Sequence, residues 1–277
     1  MSAQLQVSVN FAPPEIPMYN QVVCPGDGYI WVPGYWAYDN ASGYYWVPGY
    51  WTLPPSLGML WTPGYWGFVD NAYMWNPGYW GRSVGYYGGI NYGYGYFGRG
   101  YNGGRWNGNT FVYNTAVNNI DTTIIHNTYI DKNYVNNNVR TSFAGKGGVK
   151  MDESQRNKMM LNNENHIAPT QAQQIHNESA KANSEMQFKS NQGVISQNAI
   201  AKEHANFQAK MNNQQREQNQ MISNNPPRNM EVRPQEAAIP KETREINNTP
   251  RPAPVIRMQG GGMHNAPKME EPRGGRR

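Results

Sequence analysis

The sequence predicts a mainly β fold: an antiparallel β-meander or small sheet built from four Trp-x-Pro-Gly-Tyr-Trp repeats, followed by a long, largely disordered C-terminal tail. Three observations predict it. One hexapeptide recurs at residues 31–36, 46–51, 61–66 and 75–80, at spacings of 15, 15 and 14 residues, and self-similarity at a fixed period marks a repeat architecture. All 9 tryptophans and 19 tyrosines lie between Tyr19 and Tyr134. Aromatic and β-branched residues flank every copy, while Pro and Gly recur too often for a helix.

Residues 1–27 read as an extended lead-in with one strand. Leu5 to Phe11 alternate apolar and polar, the period of a half-buried strand. Pro13, Pro14 and Pro17 then force extended backbone. Cys24 is the only cysteine, so no intramolecular disulfide can form. In its Cys-Pro-Gly-Asp-Gly setting it reads as a small buried hydrophobe, with lipidation or an intermolecular disulfide as alternatives.

Residues 28–145 form the aromatic-rich β repeat domain. Two geometries fit the hexapeptides. In one, each repeat is a long strand kinked or bulged at Pro-Gly, and the turns fall at Asp39 to Gly43, Pro54 to Gly58 and Asp70 to Ala72. In the other, Pro-Gly fills the centre of a type II turn and each hexapeptide is a hairpin tip. The first places Pro within a strand, tolerable at an edge or bulge; the second makes many very short strands. Residues 85–106 are Gly/Tyr-rich, so the backbone turns sharply while tyrosine rings cover neighbouring surfaces. Residues 110–139 return to β-branched residues mixed with Asn, suited to short strands or an extended wrap.

Residues 146–277 read as an Asn/Gln-rich, mostly disordered tail, with transient polar helices at 152–162 and 196–222. Beyond Lys150 the only aromatics are Phe188 and Phe207, too few to offset roughly 1–2 kcal/mol of backbone entropy per residue. The formal net charge is +5; residues 1–149 are neutral, so the excess belongs to the tail, where only Arg273 to Arg277 clusters. That is a solvated tail rather than a strong anionic-surface binder.

No convergent chemistry is visible. The five histidines show no metal-ligand spacing, and Asp27, Asp39 and Asp70 sit where turns need them. No catalytic, cofactor-binding or metal-binding residues are assigned, no cofactor is expected, and the protein reads as not an enzyme. Gly93-Tyr-Gly-Tyr-Phe-Gly98 matches a dinucleotide fingerprint by letter but lacks the strand before it and the helix after it. The Gly/Tyr/Arg mixture around Arg99 and Arg105 resembles RNA-stacking segments, yet the neutral repeat half offers little phosphate neutralisation, so nucleic-acid binding is a lesser alternative. No apolar run reaches about 18 residues, so no transmembrane helix is expected. Met1 begins no charged-then-apolar leader, although Ser2-Ala3-Gln4 before Leu5, Val7 and Val9 looks like what remains after one is cut.

The candidate binding surface is the motif aromatics: Trp31, Tyr35, Trp36, Trp46, Tyr50, Trp51, Trp61, Tyr65, Trp66, Trp75, Tyr79 and Trp80. Exposed on a β face, they would stack on sugar rings; buried, they are the core of a thin sheet, each ring removing about 150–250 Å² from water. The exposure of the eight repeat tryptophans decides between these.

The four Trp-x-Pro-Gly-Tyr-Trp copies resemble the bacterial WXXGXW (also YXWGXW) repeat proteins. So do the lead-in Ala12 to Pro17, the Cys24 to Trp31 segment, the run Gly85 to Phe97, Gly103 to Trp106, Tyr113 to Val117 and His166 to Thr170. The resemblance covers about residues 11–200. It implies an exported bacterial protein, periplasmic, outer-envelope or secreted, and brings no catalytic residues. The expected function is a non-enzymatic structural or interaction protein of the envelope or secreted fraction. The alternative is glycan or cell-wall polysaccharide binding through exposed Trp and Tyr. The expected partner is a polysaccharide or another envelope protein, and open strand edges favour self-association.

Overall fold

The computed structural model describes residues 7–136, 139–152, 154 and 166–224. The expected disordered tail beyond 224, with its Pro/Arg-rich run and Arg273 to Arg277, lies outside the described residues, as do most of the expected helix at 152–162 and the start of the first strand.

After β1 (Ser8–Val9), the first two hexapeptides build β2 (Ile30–Val32), β3 (Tyr35–Asp39), β4 (Gly43–Val47) and β5 (Tyr50–Thr52). These four pieces are one long hairpin whose arms are kinked at Pro33-Gly34 and Pro48-Gly49. On the turn side of the kinks β3 pairs with β4, Trp36 opposite Trp46; on the far side β2 pairs with β5, Trp31 opposite Trp51. The other two hexapeptides repeat the plan in β6 (Leu60–Thr62), β7 (Tyr65–Val69), β8 (Ala72–Asn76) and β9 (Tyr79–Gly81), with Trp66 opposite Trp75 and Trp61 opposite Trp80. The kinked-strand geometry is therefore the one adopted. Proline is accommodated because the ladder is interrupted where its missing N–H falls, and no motif glycine takes the positive φ of a type II turn.

The turns are closed by local chemistry. Asp39 Oδ1 accepts from the N–H groups of Ala41 (3.0 Å) and Ser42 (3.2 Å). Asp70 and Asn71, at φ +50° and +62°, form a two-residue connection with both central residues left-handed, the arrangement that matches strand twist.

The sheets are small and mainly antiparallel. The two hairpins do not run on into one meander, since β5 and β6 are not hydrogen-bonded neighbours. Beyond them come the hairpins β10 (Asn91–Gly93) with β11 (Tyr96–Phe97) and β12 (Gly104–Asn107) with β13 (Thr110–Asn114). Two parallel additions follow, β14 (Thr128–Tyr129) beside β13 and β15 (Phe143–Gly145) beside β7; β1 borders β8. The Gly/Tyr-rich run is core rather than covering: Tyr87, Tyr92 and Tyr96 are buried. The Tyr92 hydroxyl donates to the Gly64 carbonyl (2.6 Å) and that of Tyr96 to the Trp61 carbonyl (2.9 Å). They serve carbonyls at the edge of the interrupted ladder, which buried backbone groups require.

The packed part does not stop at residue 145. Helices α1 (Gln171–Ala182), α2 (Phe188–Asn191) and α3 (Gln197–Asn224) follow, and α1 lies against both β4 and α3. Thr170 starts α1 with a capping box, its hydroxyl accepting from Gln173 N while the Gln173 side chain returns to Thr170 N. The entropy argument required large apolar groups within the tail; the repeat domain supplies them instead. Phe188 meets Trp36 edge-on at 5.8 Å and Phe207 meets Tyr50 at 5.4 Å. Polar contacts add Tyr45 Oη donating to Asn177 Oδ1 (2.8 Å) and an ion pair of Lys181 with Asp39 (2.8 Å). The chain divides into Met1–Pro227 and Arg228–Arg277, and the latter lies outside the described residues.

Candidate functional site

The twelve motif aromatics are mostly interior. Trp31, Trp36, Trp46, Tyr50, Trp51, Trp61, Tyr65, Trp66 and Trp80 are buried, and only Tyr35, Trp75 and Tyr79 keep partial exposure. The two tryptophans of each hexapeptide have different tasks. The first packs its ring on the glycine of the paired hexapeptide: Trp31 on Gly49, Trp46 on Gly34, Trp61 on Gly78 and Trp75 on Gly64. A side chain on any of these glycines would overlap the ring, so the motif needs Gly for close approach.

The second tryptophan points its N–H at another part of the chain. Trp36 Nε1 donates to Glu15 O (2.9 Å) and Trp51 Nε1 to Val22 O (2.8 Å), fixing the lead-in. Trp66 Nε1 donates to Trp36 O (2.8 Å), joining the two hairpins, and Trp80 Nε1 donates to Gln173 Oε1 (2.8 Å), holding α1. The first-position N–H groups of Trp31 and Trp46 make no hydrogen bond of ordinary geometry. Tyr79 stacks on His166 at 3.7 Å.

All four Pro-Gly kinks meet at one place. Pro33, Pro48, Pro63 and Pro77 line a cavity of about 220 Å³ that is partly open to solvent, with Trp61, Trp75 and Tyr92 in its walls and α1 across one side. Tyr35 of the first hairpin stacks on Trp75 of the second, 5.2 Å apart and 20° from parallel. Asn177 Nδ2 donates to the Tyr35 hydroxyl (2.9 Å), while burial lifts that phenol to about 12. Among the described residues no Lys or Arg lines the cavity, and Glu178 stands in its wall.

Where α1 meets α3 and β5 lies an under-satisfied polar cluster, two of whose members, Tyr50 and His176, also line the cavity. Tyr50 Oη, both ring nitrogens of His176, Ser179 Oγ and Glu203 Oε1 are buried without a hydrogen bond of ordinary geometry. The other Glu203 oxygen accepts from Asn183 Nδ2 at 2.7 Å. His176 sits 4.4 Å from the Tyr50 ring and 6.1 Å from that of His204. Burial first, and the His204 charge second, hold His176 down to about 3, so it is neutral at ordinary pH. Burial also lowers His204, opposed by its Nε2 contact with Gly49 O at 3.1 Å. Among the described residues no group of three His, Cys, Asp or Glu is placed to hold a metal ion.

The other segments singled out in the sequence are engaged. Cys24 is buried, its thiol donating to Gly26 O (3.2 Å) and raised by burial. Arg105 lies over the Tyr129 ring at 4.4 Å, and Arg99 pairs with Asp152 at 3.0 Å. Tyr87, Tyr92 and Tyr96 are buried as well, so these three rings are not open to stack on bases. Sequence reasoning missed Gln173, His176 and Asn177, because a cavity wall from the tail was not expected. The signal available was the proline at the same place in all four copies, which marks where the ladder opens.

No curated protein and no solved structure matches the chain. The WXXGXW repeat family matches it twice, over residues 26–52 and 57–80, each match falling on one kinked hairpin, and the chain is a WXXGXW repeat-containing protein.

Proposed function

We propose that this is a non-enzymatic structural and interaction protein of the bacterial envelope or the secreted fraction, in which the repeats are the frame. The observation that carries this reading is the use of the second-position tryptophans. Their four N–H groups reach the lead-in twice, the other hairpin once and α1 once, so the motif spends its aromatic surface holding its own chain. Contact with partners then falls to the remaining surface, where Ile124, Ile130 and Val135 are exposed. Of the twelve motif aromatics, a glycan face has Tyr35, Trp75 and Tyr79 to draw on.

Cross-linking in intact cells followed by fractionation tests the reading. The protein is expected in periplasmic, outer-envelope or culture-fluid fractions, cross-linked to itself or to another envelope protein. Recovery solely as uncross-linked cytosolic monomer overturns it. Retention of the full chain on insoluble cell-wall polysaccharide, lost in Trp75→Ala and Tyr79→Ala, would replace it with glycan binding.

A further inference from the structure

We propose that the cavity where the four Pro-Gly kinks converge is a binding site for a small uncharged single-ring compound carrying a hydroxyl at one edge. The inference is independent of the scaffold reading, which stands whether or not the cavity is filled.

Size comes first. At about 220 Å³ the space exceeds the roughly 150 Å³ of an apolar cavity that takes up benzene, and falls below the roughly 300 Å³ where drug-sized sites begin. One substituted ring fits. The lining suits a flat ring: four prolines with Trp61, Trp75 and Tyr92 offer rigid, largely apolar surface. They are fixed before binding by the Tyr35–Trp75 stack and by the Tyr92 hydrogen bond to Gly64 O, so little ordering is needed.

Charge and polarity narrow the class. An anion would find no cation among the described lining residues and would meet Glu178, which disfavours carboxylates and phosphates. Two wall residues, His176 and Tyr50, hold polar atoms with no hydrogen bond of ordinary geometry. Unpaired buried groups of this kind are costly, on the order of 1–3 kcal/mol each. His176 lines the cavity with both ring nitrogens unpaired, and a ligand hydroxyl can both donate and accept. Neutral imidazole, which has one donor and one acceptor, is the matching partner.

The test uses the full chain and three probes: phenol, toluene and benzoate. Phenol is expected to shift the Trp61 and Trp75 indole N–H resonances saturably, toluene more weakly, and benzoate not at all. His176→Phe should weaken phenol by about tenfold, the loss of one neutral hydrogen bond, while leaving toluene unchanged. Tyr50→Phe, which removes one oxygen and keeps the ring, is the second variant should His176→Phe fail to fold. Failure of phenol to shift those resonances in the folded chain overturns the proposal. So does a phenol response that toluene or benzoate equals, or that both variants leave untouched.

Discussion

Gly34 lies directly beneath the ring of Trp46, its counterpart across the hairpin, and a side chain at 34 would enter the space the indole fills. The relation recurs reciprocally, with Trp31 on Gly49, and again in the second hairpin. The two kinks of a hairpin also press backbone on backbone: a Cβ on Gly49 would stand 2.9 Å from Gly34 N. Glycine and the first tryptophan are one device, because the kink lets a ring lie flat only where the opposite strand has no side chain.

Gly34→Ala and Gly64→Ala should therefore each destabilise the protein by about 1–3 kcal/mol, the usual cost of overpacking a tight interior. Gly26→Ala is the control, since a Cβ there meets nothing within 4 Å and its φ is not positive. Denaturant midpoints at constant m check it. Equal midpoints for Gly34→Ala and Gly26→Ala would remove close approach as the reason for the motif glycine.

The two tryptophan positions should also separate. Trp66→Phe deletes the N–H that serves the buried Trp36 carbonyl, whereas the Trp46 N–H serves nothing. Both lose similar ring area, so Trp66→Phe should cost about 1 kcal/mol more, the value of one buried hydrogen bond. Urea unfolding of the two variants measures the difference. A Trp46→Phe variant as damaged as Trp66→Phe would show that ring volume, not the N–H, sets the second position.

The repeat architecture and its β character were legible because four copies of one motif leave no other period to read. The choice between kink and turn was not. It depends on what lies opposite each glycine, and cross-strand register is not written in either strand alone. The exposure of the tryptophans was hidden for a related reason: alternation assigns faces, but the lead-in, the tyrosine run and α1 cover both of them. Least legible was α1, whose buried face is Gln173, His176, Ser179 and Ala180. It lacks an apolar stripe because its partners, Trp80 and Tyr50 among them, lie far away in sequence. In α3 the stripe of Ala199, Ile200 and Phe207 is interrupted by the buried Glu203, which masked it.

Docking of α1 should depend on Gln173 far more than on Lys181. Gln173→Ala strands the Trp80 N–H in the interior and removes half of the capping box, a loss of about 1–3 kcal/mol. The Lys181–Asp39 pair is partly exposed at both ends and should contribute about 0–1 kcal/mol. Hydrogen exchange of the α1 amides reads this directly: protection should fall in Gln173→Ala and persist in Lys181→Ala. The reverse order would assign the docking to the ion pair.

Acid should loosen the junction of α1, α3 and β5. His176 ordinarily titrates near 6.5 and is held to about 3 in the fold. Above about pH 6.5 neither the folded nor the unfolded chain is protonated there. As the pH falls below that value the unfolded chain binds a proton that the folded chain refuses until about pH 3, so stability falls across this window. Between about pH 7.5 and pH 5 the loss from this one group is on the order of 2 kcal/mol. The groups facing it act in known directions. Tyr50 is neutral, and His204, itself lowered by burial, adds a loss of the same sign, while Glu203 favours protonated His204 and tempers it. His176→Phe replaces the imidazole with an uncharged ring beside Tyr50 and Phe207 and should flatten the midpoint between pH 7.5 and 5, leaving the smaller slope from His204. An unchanged acid profile in that variant would place the sensitivity elsewhere, whereas a flattened one identifies the buried histidine as the group that ties the helices to the repeats only while it stays neutral.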